Sequence, residues 1–198
     1  MRIGSGNVKD LLQDTKTKGF KNLLIDFIKD EPQYRNALNS PIQQFRTGAI
    51  LEEVMYKSMP DNYMAQVRVQ SKEYDIMTCT LDFALLDKGK ITYFVEMKTL
   101  NFDSFISLNS ATNKLDYVKR HYKSYYNQVQ EQMLVTGLKT CTIMFVVVLS
   151  DNDNDNWNRV FKKGEKLDVV IPFDKKVGDK IIERIKFFQQ IKDFLCTD

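Results

Sequence analysis

One stretch decides the fold of this chain: Thr80-Leu-Asp-Phe-Ala-Leu-Leu-Asp-Lys-Gly-Lys-Ile-Thr-Tyr-Phe-Val-Glu-Met-Lys98. Two apolar runs flank the turn residues Asp87-Lys88-Gly89-Lys90, with glycine available where a tight turn needs a positive φ. The stretch therefore predicts a β-hairpin. Its second strand stays apolar until Glu96, and alternation along a strand puts Glu96 and Lys98 on one face and Met97 on the other.

Asp82, on the first strand of this hairpin, can lie beside the face that carries Glu96 and Lys98. Carboxylates from two strands offer the oxygen ligands that a hard divalent cation prefers, and a nearby ammonium can position a water molecule. The same three residues also fit a second interpretation, a cross-strand ion pair on a solvated sheet face, because charges on strands are commonly just solvated. Other parts of the chain have to decide between the two.

Length and composition predict a single compact domain over residues 1–198, with 43% hydrophobic and 12% aromatic residues. The net charge of +3 permits a nucleic-acid partner without indicating one strongly. The scattered cysteines, Cys79, Cys141 and Cys196, fit reduced thiols rather than a zinc site. No apolar run approaches the roughly 20 residues of a membrane span, and no signal peptide is evident. We therefore expect a soluble cytoplasmic protein with no membrane partner.

Two segments before the hairpin carry candidate site residues. Residues 3–12 read as a Gly/Ser turn leading into a short helix, where Ser5 fits either an ordinary helix cap or part of a phosphate site. Residues 42–59 form an amphipathic helix pattern that carries Arg46 and Glu52. One of its two glutamates, Glu52 or Glu53, can lean toward the sheet, and Glu52 is favoured because it lies one turn before Tyr56; an exposed helix carboxylate is the commoner outcome for each.

A helix pattern over residues 115–136 follows the hairpin and begins with basic and aromatic side chains. Lys119, Arg120 and Lys123 are close enough together in sequence to meet a phosphate backbone. Gln128 and Gln132 lie one turn apart, so they can present amides to a water, a phosphate or a base edge. A solvated helix face is the alternative interpretation of the segment.

The order of these elements predicts an α/β domain with a mixed central β-sheet flanked by helices. Between the recognisable elements, residues 101–113 read as a polar loop that could form a rim over a substrate or be an ordinary excursion. Residues 151–156 read as a polar turn, because the glycine and glutamate of a calcium loop are absent.

Four features, in their order along the chain, resemble the PD-(D/E)XK nuclease superfamily with its restriction-endonuclease-like core. They are a helix glutamate, then Asp82, then the Glu96-Met-Lys98 triplet, and finally a glutamine helix. More narrowly, Tyr125-Tyr-Asn-Gln-Val-Gln-Glu-Gln-Met-Leu-Val-Thr-Gly137 is similar to a helix of the phage lambda exonuclease and YqaJ-like viral recombinase family. The segments Ile3-Gly-Ser-Gly-Asn-Val and Gly48-Ala-Ile-Leu-Glu52 fit the same family.

The resemblance implies roles for the candidate residues. Asp82 and Glu96, helped by the backbone carbonyl of Met97, would ligate Mg²⁺, for which Mn²⁺ can substitute. Glu52 would bind the metal directly or through water, Lys98 would orient the nucleophilic water, and Gln128 would support the site. Residues assigned to nucleic-acid binding are Ser5, Arg46, Lys119, Arg120, Lys123, Tyr125 and Gln132.

The implied activity is metal-dependent exonuclease digestion of linear double-stranded DNA from a free 5′ end. The single-stranded tails would serve phage-type recombination with a single-strand-annealing protein, and relatives of this type can form rings, so a homo-oligomer is a further expectation. The family's 5′-phosphate arginine has no matching position, and Arg2 or Arg46 are its candidate substitutes. The alternatives are a structure-specific or restriction-like endonuclease of the same fold and a non-catalytic DNA-binding module.

Overall fold

A computed structural model of the chain describes residues 1–30 and 37–196. Its centre is a six-stranded mixed sheet in the order β1-β3-β4-β5-β6, with β2 also paired to β3. The β1–β3 and β4–β5 pairs are parallel, and the other pairs are antiparallel. The strands are β1 (Ile3–Gly4), β2 (Tyr63–Gln70), β3 (Met77–Asp87), β4 (Lys90–Leu100), β5 (Thr140–Val147) and β6 (Lys166–Pro172).

Helices cover both faces of this sheet, and a 3-10 turn at Ser5–Asn7 precedes the first of them. The helices are α1 (Val8–Leu11), α2 (Lys18–Lys29), α3 (Gln43–Tyr56), α4 (Phe102–Ser110), α5 (Lys114–His121), α6 (Lys123–Thr136), α7 (Asp153–Trp157) and α8 (Lys175–Leu195). The predicted α/β class with a mixed, helix-flanked sheet is therefore confirmed. Among the described residues, no helix is both long and apolar enough to cross a membrane.

The hairpin of β3 and β4 closes through a two-residue turn in which Lys88 and Gly89 have φ values of 49° and 76°. Two successive residues with positive φ match the right-handed twist of the flanking strands, so the predicted hairpin is confirmed. Pairing between β3 and β4 runs from Asp87 with Lys90 to Phe83 with Val95. From Val95 onward β4 pairs in parallel with β5 instead. We call the place where β3 and β4 separate the fork.

Two apolar clusters hold the layers together. The larger cluster joins α1, α2, α4, α5, α6 and α8 to the sheet, with Phe27, Phe94 and Phe188 among its fully buried side chains. In the smaller cluster, Leu51 and Met55 of α3 pack with Phe83, Val95 and Met97 of the hairpin. This packing fixes helix α3 beside the fork. Each fully buried side chain of this kind contributes about 1.5–3 kcal/mol to the stability of the fold.

Three predicted segments differ from the structure. Residues 101–113, expected to be a loop, contain α4, which the Asn101 side chain caps and whose Phe105 and Leu108 are buried. Residues 151–156, expected to be a polar turn, enter the short helix α7 with Asn152 as its cap. In both cases an asparagine cap offsets the low helix propensity of polar residues. The helix expected over residues 115–136 is divided at Tyr122 into α5 and α6.

Asp174 ties α8 to α6 and gives a first prediction about stability. Its carboxylate accepts hydrogen bonds from the backbone amides of Lys176 (3.0 Å) and Val177 (3.3 Å) and from the hydroxyl of Tyr126 (3.1 Å). Partial burial alone would raise the pKa of Asp174, but these bonds outweigh it and lower the pKa. The contribution of Asp174 to stability is therefore present above pH 3.8 and is lost as the pH falls through the lowered pKa.

We expect Asp174→Ala to lower the free energy of unfolding at pH 7 by about 1–2 kcal/mol, since it removes a helix cap and a buried hydroxyl's acceptor. Urea unfolding measures the change. The control is Asp179→Ala, which breaks only an exposed ion pair with Lys175 and should cost less than about 0.5 kcal/mol. Equal effects of the two variants would contradict the assigned role of Asp174.

Candidate active site

The fork opens into a cleft of about 1010 Å³. Its floor carries Asp82 from β3 together with Glu96 and Lys98 from β4, and Gln128 of α6 closes one side. The first residues of the chain and the 3-10 turn, including Ser5, also line the cleft. The structure thus brings together residues that are separated by more than 100 positions in the sequence.

Glu96 is the centre of the polar network, and its side chain is only 1% exposed. Its Oε1 accepts hydrogen bonds from Lys98 Nζ and from Gln128 Nε2, both at 2.6 Å. Its Oε2 accepts a bond of 2.7 Å from Gln132 Nε2. Three donors therefore hold one buried carboxylate, which is the compensation that burying such a charge requires.

Asp82 bridges the fork from the other strand. Its Oδ2 accepts a hydrogen bond of 2.8 Å from the backbone amide of Met97, where ladder pairing between β3 and β4 has ended. Burial, followed by the negative charges of Glu96 and Glu52, raises the pKa of Asp82 well above its usual range. Asp82 therefore lies in an environment that disfavours a lone carboxylate and favours a nearby cation.

Lys98 is the cation that faces these acids. Burial alone would lower the pKa of Lys98, but the carboxylates of Glu96 and Asp82 outweigh burial and raise the pKa. Its Nζ also lies 5.5 Å from the ring centre of Tyr125. In this arrangement Lys98 is a fixed positive charge, suited to orienting a water or stabilising a developing anion rather than to accepting a proton.

Glu52 of α3 lies outside the cleft lining but within electrostatic reach of Glu96 and Asp82. Its Oε1 accepts a hydrogen bond from Gln66 Nε2. Burial, opposed by the Gln66 hydrogen bond and reinforced by the charge of Glu96, raises the pKa of Glu52 to about 7. Glu52, Asp82 and Glu96 therefore form an acidic group with Lys98 as a counter-charge.

The donor set of this acidic group fits a hard divalent cation, which prefers carboxylate oxygens. Glu52 and Asp82 both have raised pKa values, so a positive ion would relieve their mutual repulsion. Within residues 1–30 and 37–196, no three His, Cys, Asp or Glu side chains stand at metal-ligand spacing. The oxygens of Glu96 are instead engaged by Lys98, Gln128 and Gln132. The chemistry of the residues fits the ion, and binding it requires the side chains to adjust.

The residues assigned to nucleic-acid binding are distributed over several places. Ser5 lines the cleft, and Tyr125 lies beside Lys98. Lys123 is exposed at the start of α6. Lys119 lies over the ring of Tyr126, with its Nζ 5.3 Å from the ring centre, and so belongs to the contact between α5 and α6 rather than to the cleft lining.

Arg46 and Arg120 also lie outside the cleft lining. Arg46 donates hydrogen bonds to Asp153 at 2.5 Å and to the carbonyl of Ser40 at 2.9 Å, so it joins α3 to α7. Arg120 lines a second, smaller cavity of about 280 Å³ with His121. Of the two candidate substitutes for the missing phosphate arginine, only Arg2 lines the cleft.

Gln132 requires a correction. The sequence assignment puts it at the nucleic-acid interface, whereas the structure buries it completely, at 0% exposure. Its Nε2 donates to Glu96 and also to the carbonyl of Thr80 at 3.1 Å, a group of β3 just beyond the fork. Gln132 therefore fills the opening between the strands and fixes Glu96, and it has no surface with which to reach DNA.

Comparison with known proteins identifies the family. Residues 2–139 match the family model of the YqaJ-like viral recombinase domain, which is more than half of the chain. The chain belongs to this family. The match confirms the resemblance that the fork residues and the glutamine helix indicated. A search among curated protein sequences finds no match to the chain.

Solved structures share the fold of this YqaJ-like chain. An alkaline exonuclease from Laribacter hongkongensis aligns with a TM-score of 0.64 and 13% identity over 98% of this chain and 91% of that one. The structure of the same exonuclease in complex with dAMP aligns with a TM-score of 0.63 and 16% identity over 98% of this chain and 91% of that one. A phage-related exonuclease from Haemophilus somnus 129PT aligns with a TM-score of 0.63 and 16% identity over 98% of this chain and 96% of that one. At these identities the likeness shows a common fold.

Sequence reasoning missed two cleft residues of the YqaJ-like chain, Gln66 and Arg68. Both are exposed positions of β2, where burial alternates along the strand. Arg68 pairs with Thr80 in the register of β2 and β3, which brings its guanidinium to the same cleft as Asp82. The alternation was visible in the sequence, but the register that carries Arg68 to the cleft is a long-range property that the pattern does not contain.

A third missed residue is Glu131, which is completely buried on α6. Neither of its carboxylate oxygens has a hydrogen-bond partner within the part of the chain that the structure describes. Burial, followed by the charge of Glu96, raises the pKa of Glu131 well above its usual value of 4.5. A buried, unpaired carboxyl of this kind costs folding free energy.

We expect Glu131→Met to stabilise the protein at pH 7 by on the order of 1–3 kcal/mol, since it replaces an unpaired acid by an apolar side chain of similar size. A raised pKa in the folded state means that wild-type stability falls as the pH rises above 4.5. The difference in the free energy of unfolding between variant and wild type, measured by urea unfolding, should therefore be large at pH 7 and small near pH 4.5. Glu183→Met, at an exposed helix position, is the control and should change little at either pH. If the difference in the free energy of unfolding between Glu131→Met and wild type does not vary with pH, the stability cost assigned to the Glu131 carboxyl is contradicted.

Proposed function

We propose that this chain is a metal-dependent DNA exonuclease. The observation that carries the proposal is the fork, where Asp82 and Glu96 from separating strands face Lys98 in an open cleft. Membership of the YqaJ-like viral recombinase family supports it, as does a fold shared with two proteins described as exonucleases. Residues 1–198 would then constitute a single nuclease domain.

Asp82, Glu96, Glu52 and the backbone carbonyl of Met97 would hold Mg²⁺, with Mn²⁺ as a substitute. The bound ion would supply an acidified water and neutralise charge on the scissile phosphate. The chain's own residues would do the rest. Gln128 and Gln132 keep the Glu96 carboxylate in one orientation through their hydrogen bonds. Lys98 holds a positive charge where the phosphate would gain negative charge in the transition state.

Recognition of a 5′ end is proposed to come from the basic part of the cleft lining, which we call the phosphate wall. Arg2 and Arg68 both line the cleft, together with Ser5 and neighbouring residues of the 3-10 turn. Guanidinium groups bind phosphate through charge-assisted hydrogen bonds, so this wall suits a terminal 5′-phosphate. Digestion would then run from 5′ to 3′ on linear double-stranded DNA and leave single-stranded tails.

Those tails are the substrate that a single-strand-annealing protein needs, so we propose a role in phage-type recombination in the host cytoplasm. A ring-shaped homo-oligomer around DNA fits this role. Tyr125 beside Lys98 and the exposed Lys123 would contact the substrate strand next to the site. The assignment of Lys119 and Arg120 to DNA contact is not supported by their positions outside the cleft lining.

The decisive assay compares linear duplex DNA with covalently closed circles in the presence of Mg²⁺. We expect digestion of the linear form only, and loss of digestion with a chelator. Asp82→Asn should reduce activity to background, and Lys98→Ala should reduce the rate by roughly 10²–10³-fold because an electrostatic stabiliser is lost. The matched control is Asp87→Asn, an exposed hairpin residue on the same strand, which should retain wild-type activity.

Two outcomes would favour the alternatives. Cleavage of the closed circle would support a structure-specific or restriction-like endonuclease. Absence of any digestion, together with calorimetric Mn²⁺ binding that is unaffected by Asp82→Asn, would support a non-catalytic DNA-binding module.

The proposed phosphate wall gives a separate prediction. Arg68→Ala should reduce the preference for 5′-phosphorylated over 5′-hydroxyl ends by roughly tenfold or more, because one charged hydrogen bond is worth about 1.5–3 kcal/mol. Initial rates on the two substrates at fixed salt measure this preference. Arg120→Ala removes the same charge at the second cavity and should leave the preference unchanged. An unaltered preference in Arg68→Ala would exclude Arg68 from end recognition.

A further inference from the structure

Gln66 has a backbone conformation that its place in the fold does not explain. It lies within β2, yet its φ is 52°, in the left-handed region that non-glycine residues rarely adopt. Ala65 pairs with Phe83 and Val67 pairs with Leu81, so the register is the same on both sides of Gln66. No inserted residue is present that would require a bulge. Strain of this kind persists where the surroundings impose it, often at functional sites.

The position of Gln66 is directly related to the acidic group. By the register of β2 and β3 it lies across from Asp82, and it lines the same cleft. Its Nε2 donates a hydrogen bond to Glu52 Oε1. Among the described residues, Gln66 is the only one that donates a hydrogen bond to the Glu52 carboxylate.

The rest of α3 fixes the backbone of Glu52 but not its carboxylate. Leu51 and Met55 anchor the helix against the sheet, while the glutamate side chain retains several rotatable bonds. Gln66 lies on the same face of β2 as Arg68, and both line the cleft, so its positive φ changes the direction of the Cα–Cβ bond without moving the side chain off that face. The strained backbone of Gln66 and its hydrogen bond to Glu52 both bear on where the Gln66 amide lies.

We propose that Gln66 is a positioning residue: the left-handed backbone at this point of β2 directs its amide to Glu52 and holds that carboxylate toward Asp82 and Glu96. This inference rests on the proposed function, in which Glu52 contributes to the metal site. In this role Gln66 acts through its hydrogen bond to Glu52 and not by contact with the phosphate or the metal. Its effect passes through the orientation of Glu52, as is usual for groups that hold metal-binding side chains in place.

Gln66→Gly tests the proposal because it separates strain from contact. Glycine adopts positive φ without steric cost, so the variant should fold at least as stably as wild type in thermal unfolding. It lacks the amide, so Mn²⁺ affinity, measured by electron paramagnetic resonance, should fall roughly tenfold or more, and kcat should fall by a similar factor. KM for DNA should stay within about twofold, since Arg2, Ser5 and Arg68 are all retained.

Lys88→Gly is the matched control. Lys88 also has a positive φ, at 49°, but it lies in the hairpin turn. The same substitution should therefore relieve strain there while leaving Mn²⁺ affinity and kcat at wild-type values. If Gln66 had only a structural role, its variant would behave like this control.

Wild-type Mn²⁺ affinity and kcat in Gln66→Gly would overturn the positioning role. That result leaves the proposed function intact as long as Asp82→Asn abolishes both Mn²⁺ binding and digestion. If wild type instead digests no DNA, the proposed function fails, and Mn²⁺ binding by Gln66→Gly still reports whether Gln66 positions Glu52. A loss of thermal stability in Gln66→Gly would contradict the assignment of strain, and Gln66→Asn, which tolerates positive φ and has a shorter amide, then tests the contact alone.

Discussion

The separation of β3 from β4 beyond Phe83 and Val95 is the constraint on which the site depends. Backbone groups left unpaired inside a protein must find other partners. Here Asp82 accepts the amide of Met97, and Gln132 donates to the carbonyl of Thr80. The unpaired backbone groups of the fork therefore require polar side chains beside them, whether or not the site is catalytic. The acid that satisfies the backbone, Asp82, also lines the cleft.

Charge balance at the fork links stability to activity. Glu52, Asp82 and Glu96 bring three acids together, and Lys98 compensates only part of their charge. The raised pKa values of Glu52 and Asp82 mean that keeping both ionised at neutral pH costs folding free energy. If the site binds a metal ion, as proposed, it must retain this unfavourable charge when the ion is absent. The large apolar cores on the two sheet faces supply the stability that makes such a site tolerable.

The sequence predicted the parts of the site that depend on local pattern. The hairpin followed from Gly89 between two apolar runs, and the shared face of Glu96 and Lys98 followed from strand alternation. Gln128 and Gln132 followed from helical spacing, but whether each faces solvent or Glu96 depends on how α6 packs, which spacing alone does not give. Arg68 and Gln66 were missed because their places depend on register and on a strained φ, both set by tertiary contacts. The asparagine caps of α4 and α7 were local signals, but polar composition concealed them.

Helix α6 carries three consecutive polar residues that are completely buried, Gln130, Glu131 and Gln132. Gln130 binds the ends of β6 and α8 through the carbonyl of Pro172 and the amide of Asp174, and Gln132 binds the fork. These two glutamines fix the helix from opposite directions, so its position is determined by specific hydrogen bonds as well as by apolar packing. Because Gln128 and Tyr125 are on the same helix, fixing α6 also fixes the donors around Glu96 and Lys98. Glu131 lies between them and has no hydrogen-bond partner among residues 1–30 and 37–196, so the position of the helix depends on its two neighbours.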